Sequence, residues 1–334
     1  MRCSLVNNYI DNQMKLNNYV EGAIMAALAA MIALIGLYIP PLQFIVMFIW
    51  LVPIVVVAVR RGFYTGVLAL VTAAVLLMIL APPQRAFIYL VQFGALGIVF
   101  SYYFSKKAVF SKVMVVGTIV SSISTAVGFA LFFLIMGLNL SDIATTFEEI
   151  KESTLIMYEN LGLLEGLLQR MDMTIEELRA TLAGWLSTIV WLTPALVVIN
   201  GMSVAFVTCF VIRKTLQKLN LGTSELPMFR HWQIPWHFAW GVIIALAFML
   251  SNNFAGWELG GIIGMNIMFI LSPIFLIQGL AVLVFYYHKW QISFLLKVLL
   301  LAIIVLFFPY VIMLLLIIGL LDPLFNYRRL DIKQ

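Results

Sequence analysis

Arg85, Tyr89 and Gln92 stand four and three residues apart, a spacing that puts a guanidinium, a phenol and an amide on one helical face. On a helix descending from the outer mouth of a membrane, those three groups would grip a small polar or anionic solute. Their plainer use is a snorkelling arginine, an interfacial tyrosine and an interhelical amide bond. A second set, Trp191 and Asn200, lies in a later apolar run with Pro194. An unpaired amide at mid-depth is costly, so Asn200 is expected to bond another helix or a ligand. Pro194 has no N–H and leaves the Val190 carbonyl without its helical donor. Arg85, Tyr89, Gln92, Trp191 and Asn200 are therefore the candidate ligand-binding residues. Asn266 and Gln278, further along, have no polar cluster around them in the sequence.

Other chemistry is not signalled. The chain has no G-x-x-x-x-G-K-[ST] loop to cradle a nucleotide and no H-E-x-x-H helix to hold zinc. His231, His237 and His288 all fall on the side expected to be cytoplasmic, and Cys3 and Cys209 form neither a disulfide framework nor a metal set. Glu176 and Glu177 are paired, but in a polar stretch with no histidine near them. No carboxylate falls in the middle of an apolar run; Glu21 and Glu258 sit at edges. Ion-coupled carriers generally keep a buried ionisable group, so self-powered transport is not expected. No nucleophile and base converge, so no enzyme, metal or cofactor is expected either.

The elements that must position these residues follow from composition. Of 334 residues, 63% are hydrophobic and 10% charged, far from a soluble domain. A helix needs roughly 20 apolar residues to cross a bilayer, and such runs occur near 20–38, 42–59, 63–81, 86–104, 112–137, 184–212, 235–251, 260–287 and 298–320. They are continuous rather than alternating, which excludes a β-barrel. The fold class is an all-α polytopic integral membrane protein with about nine transmembrane helices, or eight, a count that would bring the C-terminal tail inside. Pro40-Pro41 and Pro82-Pro83 break the first two hairpins. The net charge of +5 comes from small basic groups such as Arg60-Arg61, Lys106-Lys107 and Arg213-Lys214, the marking of cytoplasmic loops. It calls for no nucleic acid, and it places the N-terminus in the cytoplasm. Arg328-Arg329 dissent, because nine crossings would leave them outside.

Five parts result: a cytoplasmic segment 1–19; helices one to five over 20–137; an acidic amphipathic segment 138–183 on the outer surface; a sixth helix with its basic end over 184–218; and a three-helix extension with a tail over 219–334. In the acidic segment Ile143, Phe147, Ile150, Leu155 and Tyr158 recur at helical spacing. Thr145 to Glu148 and Thr174 to Glu177 each match a capping box. The segment would form a lid over an outward-facing site or an interfacial helix with a solvated acidic face. In the first helix Ala23/Ala27, Ala26/Ala30 and Ala29/Ala33 repeat every four residues, a pattern that admits a close partner helix from this chain or another.

Glu21-Gly22-Ala23-Ile24-Met25-Ala26-Ala27-Leu28, and Arg60-Arg61 followed by Gly62-Phe63-Tyr64-Thr65-Gly66, resemble the S components of energy-coupling-factor (ECF) transporters over about residues 17–218. These are six-span proteins that capture micronutrients. The whole chain is similar to the YybS-like family of bacterial membrane proteins, on Gln278-Gly279-Leu280-Ala281 and on the run from Gly319 through Asp322-Pro323 to Arg328-Arg329. Asn326 stands where that pattern leads one to expect an acid. The resemblance implies that Ala23, Ala27 and Ala30 dock a separate ECF-type transmembrane subunit, driven by two ATPases, and that a ligand enters from outside among helices four to six.

The expected function is thus membrane transport: capture of a small polar solute at the outer face of a bacterial plasma membrane, by a protein without its own ATPase. The alternative is a non-transporting membrane scaffold or regulator, which would use the alanine stripe and the basic loop 213–230 to hold partner proteins in the bilayer.

Overall fold

The computed structural model describes residues 2–137, 140–224, 226–289, 299 and 302–330. Its elements, numbered in chain order, are α1 (Arg2–Tyr38), α2 (Pro40–Ile49), α3 (Val52–Arg61), α4 (Phe63–Leu80), α5 (Pro83–Ser105), α6 (Phe110–Met136), α7 (Leu140–Asn160), α8 (Leu164–Met171), α9 (Ile175–Trp191), α10 (Thr193–Lys218), α11 (Phe238–Ala255), α12 (Glu258–Lys289) and α13 (Phe308–Phe325). Among the described residues, eight helical stretches are long and apolar enough to cross a membrane, and Phe238–Asn252 is a shorter apolar helix. The all-α polytopic expectation holds. The expected start of the last span at 298, and the side chains of Cys3, Ile143 and Phe147, lie outside the described residues.

The chain divides into two units, 1–171 with 197–225, and 172–196 with 226–334. The cut passes through the acidic segment, so α7 and α8 belong to the first unit and α9 to the second.

In the first unit α1 packs on α2, α3 and α4, and α5 on α3, α4 and α6. Small residues set the closeness of these pairs. A Cβ at Gly66 would collide with Ala58, and one at Gly97 would come 2.7 Å from Leu51, so α4 and α5 both press on α3. The alanines of α1 divide between two faces: Ala26, Ala29, Ala30 and Ala33 are buried, whereas Ala23 and Ala27 are exposed. Ala30 therefore packs inside its own unit, and the outward stripe is Ala23 with Ala27. Glu21, one turn earlier, accepts from Arg60 Nη1 at 3.0 Å and Arg61 Nε at 2.6 Å, tying the start of α1 to the end of α3. Gly62, at φ +98, then turns the chain sharply into α4.

Two expected spans are broken helices. The second consists of α2 and α3, interrupted at Trp50-Leu51; Pro53 cannot donate to the Ile49 carbonyl, which removes a rung at that point. The sixth is α10 alone, because the helix is interrupted at Leu192 and α9 reaches back to Ile175. Thr174 caps α9 with both hydrogen bonds of a capping box. Thr145 instead lies inside α7, where the backbone has no orphan donors to cap, so the first capping match is a coincidence of sequence.

In the second unit α11 and α12 pack antiparallel. A Cβ at Gly241 would meet Leu271 at 2.8 Å, and one at Gly264 would meet the Ala245 carbonyl and Met249. Pro273 orphans the Phe269 carbonyl within α12, and the Ser272 hydroxyl donates to it at 2.8 Å. α12 then crosses α13 at two glycines. A Cβ on Gly319 would strike the Phe275 carbonyl, and one on Gly279 the Leu315 carbonyl.

Candidate functional site

The break between α2 and α3 turns Trp50 toward α5, where Tyr89 follows the proline start of that helix by six residues. The rings of Trp50 and Tyr89 lie 5.2 Å apart, and Phe93 packs 4.8 Å from Tyr89, one turn further along. Trp50 is 0% exposed and Tyr89 3%. Yet Trp50 Nε1 and Tyr89 Oη, both buried, have no hydrogen-bond partner among the described residues. An indole N–H donates only, and a phenol both donates and accepts. Leaving such groups unpaired in an apolar core costs about 1–3 kcal/mol each, so the pair is set up to receive an acceptor.

The five candidate residues do not all reach this place. Gln92 is half-buried, and its Cβ would lie 3.6 Å from a Cβ at Gly128 of α6, which puts it in the α5–α6 seam. Arg85 is exposed near the start of α5. Asn200 is exposed on α10. Its neighbour Gly201 is buried, so close to Ser122 that a Cβ would come 2.6 Å from the Ser122 nitrogen. That contact aims Gly201 at α6 and turns Asn200 away, so Asn200 stands outside the buried cluster. The Trp191 ring, in the second unit, is 52% exposed. What Trp191 contributes is its backbone: its carbonyl accepts from Asn266 Nδ2 at 2.8 Å.

Asn266 and Gln278, which have no polar neighbours in the sequence, each bond other elements of the second unit. Asn266 also accepts from the Ala195 N–H at 2.9 Å. Gln278 Nε2 donates to Asp322 Oδ2 at 2.7 Å, and Gln278 Oε1 accepts from Ile234 N at 3.3 Å. Arg328 closes the network. Its Nη2 lies 2.8 Å from Asp322 Oδ2, and its guanidinium also donates to the carbonyls of Arg230 and Trp232, at 2.6 Å each. The Asp322 and Arg328 side chains are essentially solvent-free. Asp322 lies in the last turn of α13, past the expected end of that span at 320, and a cation six residues on makes its burial tolerable.

Asn326 reverses the chain between these two charges. It takes a left-handed conformation at φ +45, its N–H donates to the Asp322 carbonyl, and its side-chain amide both accepts from and donates to Leu330. An ionised acid has no proton to donate there, which accounts for an amide at this position. The signals for Trp50 and for the Asp322–Arg328 pair were faint: a proline three residues after the tryptophan, and two opposite charges either side of an Asn turn.

Within the acidic segment, Glu149, Ile150, Ser153, Thr154 and Met157 line a shallow open depression along α7. Among the described residues no cluster of three His, Cys, Asp or Glu side chains could hold a metal ion. The free thiol of Cys209 is buried.

A family profile described as "Predicted membrane protein (DUF2232)" matches residues 27–323. The chain is similar to the "Uncharacterized protein YybS" of Bacillus subtilis (strain 168), with 24% identity over 280 residues, 81% of this chain and 85% of that protein. No solved structure matches.

Proposed function

Because this chain belongs to the DUF2232 family of predicted membrane proteins, we propose that it works within the bilayer as a solute-capture protein without its own ATPase. It would take a small polar solute from the outer face of a bacterial plasma membrane, with its N-terminus in the cytoplasm. The observation that carries this reading is the pair of buried groups, Trp50 Nε1 and Tyr89 Oη, which lie on adjoining rings without a hydrogen-bond partner among the described residues. They call for a ligand with a hydrogen-bond acceptor and an apolar body. Gln92 and Arg85, on the same helix, would line its approach. The exposed Ala23–Ala27 stripe is where an ECF-type transmembrane subunit would dock. No chemical step on the solute is proposed.

The test is a ligand screen on the purified full chain, read as a rise in thermal unfolding temperature across a panel of polar metabolites. A hit should bind about 5- to 20-fold more weakly to Tyr89→Phe and to Trp50→Phe, the loss expected of one buried hydrogen bond. A hit whose affinity is unchanged in both variants would remove the site.

A scaffold or regulator is the second reading. It is favoured by the outward placement of Arg85 and Asn200, which do not converge on Tyr89. It keeps the alanine stripe and needs no solute. Recovery of T and ATPase subunits in a mild affinity purification would support capture, and some other stoichiometric membrane partner would support the scaffold.

A further inference from the structure

The second unit gathers cations at one end. The segment 226–237, the C-terminal end of α12 and the tail meet there: His231 lies 6.3 Å from the Phe285 ring, and the Tyr286 hydroxyl donates to the Tyr327 carbonyl at 3.0 Å. Arg230, Lys289 and Arg329 fall within this end. The described carboxylate beside them, Asp322, is committed to Arg328 and Gln278. Arg328 in turn is engaged by Asp322 and two backbone carbonyls. Arg230, Lys289 and Arg329 form no ion pair among the described residues, and Lys289 rests over the Tyr286 ring at 5.8 Å.

Two further observations give this end a direction. Arg230 Nε is buried and has no hydrogen-bond partner among the described residues, so a guanidinium donor is available to an acceptor. Trp236 and Trp240, at the entry to α11, are 55% and 53% exposed. Exposed tryptophans flanking an apolar helix settle at the level of lipid headgroups, where the ring is half in hydrocarbon and half in water. Phosphate oxygens lie at that same depth.

We propose that this end of the second unit is a binding surface for anionic phospholipid. The headgroup phosphate accepts from Arg230 Nε, Lys289 and Arg329 supply the surrounding positive field, and the acyl chains lie against Trp236 and Trp240. A zwitterionic lipid offers the same phosphate but carries a choline that the cations repel, so the surface discriminates by net headgroup charge. This assignment is independent of any solute at Tyr89.

The test reconstitutes the full chain in nanodiscs of one part phosphatidylglycerol to three parts phosphatidylcholine, and counts the lipids retained on the released protein by native mass spectrometry. The retained ratio of phosphatidylglycerol to phosphatidylcholine should exceed the bulk ratio, and each cation removed should lower that ratio about fivefold toward the bulk value. The triple variant R230Q/K289Q/R329Q should retain the bulk ratio, and Arg170→Gln, on α8, should behave as the parent chain. Arg329→Gln alone changes an exposed side chain and provides a variant that keeps its fold should the triple substitution unfold the unit. Equal retention of both lipids by the parent chain, or enrichment unchanged in Arg329→Gln and in a folded triple variant, would overturn the proposal. Displacement of phosphatidylglycerol by millimolar inorganic phosphate would also overturn it, by making the surface a site for free oxyanions.

Discussion

The side chain of Asn266 fills the rung that Ala195 would close with Trp191 in an unbroken helix: Ala195 N–H donates to Asn266 Oδ1, and Asn266 Nδ2 donates to the Trp191 carbonyl. One carboxamide thereby satisfies both ends of an opened i→i−4 bond at the α9–α10 junction, beside Pro194. A side chain inserted in the ladder is a recognised cause of helix interruption. Here the insertion fastens α12 to that junction.

Replacing Asn266 with leucine should therefore destabilise the second unit by about 1–3 kcal/mol, because it leaves a donor and an acceptor unpaired. Asn266→Asp should be at least as damaging, since a carboxylate cannot donate to the Trp191 carbonyl. Thermal unfolding in detergent would show both. A leucine variant as stable as the parent would mean that the helix closes its own rung.

The buried Asp322–Arg328 pair makes a different prediction. Asp322→Asn and Arg328→Met should each cost about 3–5 kcal/mol by stranding the remaining charge. The double variant Asp322→Asn with Arg328→Met should cost clearly less than the sum, since no unpaired charge is left. A double-mutant cycle on unfolding free energies measures that coupling, and simple additivity would mean that the two charges do not stabilise each other.

Crossing of α12 and α13 at Gly279 and Gly319 leaves no room for a methyl group, since the obstacles are backbone carbonyls. Gly319→Ala should separate the helices and lower the unfolding temperature by several degrees. Gly94→Ala, where a Cβ meets nothing within 4 Å, should be neutral or mildly stabilising. A Gly319→Ala chain as stable as Gly94→Ala would mean that the crossing accommodates a methyl group.

The tail lies at the end of the second unit that also holds the segment 226–237, through Arg328 on the carbonyls of Arg230 and Trp232. Cysteines introduced at Met228 and Tyr327, in a chain with Cys3 and Cys209 changed to serine, should be labelled by an impermeant maleimide from the same side of intact cells. A cysteine at Trp257 should be labelled from the other side. Opposite labelling of 228 and 327 would show that the chain after α12 crosses only once. Same-side labelling would bring Arg328-Arg329 to the face of the other basic loops, removing their dissent from the charge pattern.

Much of this protein is legible one residue at a time. Length of apolar run against bilayer thickness gives the helices, because burying unpaired backbone in hydrocarbon costs more than any side-chain preference. Prolines give the breaks at Pro40-Pro41 and Pro82-Pro83, and Thr174 with Glu177 gives the start of α9, since each is a local consequence of donors present or missing. Tyr89 is identifiable as a candidate from its spacing alone, and Ala23 with Ala27 as a stripe. What the linear pattern does not contain is which polar atoms end up facing one another. Trp50 reaches Tyr89 because two helices meet at a break. Gln278 finds Asp322 across a glycine crossing 44 residues away in sequence, and Asn200 is turned outward by its neighbour's contact with Ser122. Periodicity fixes the face of a helix on which a residue lies, but the partner of that face is set by the packing of whole helices, and only the tertiary structure decides it.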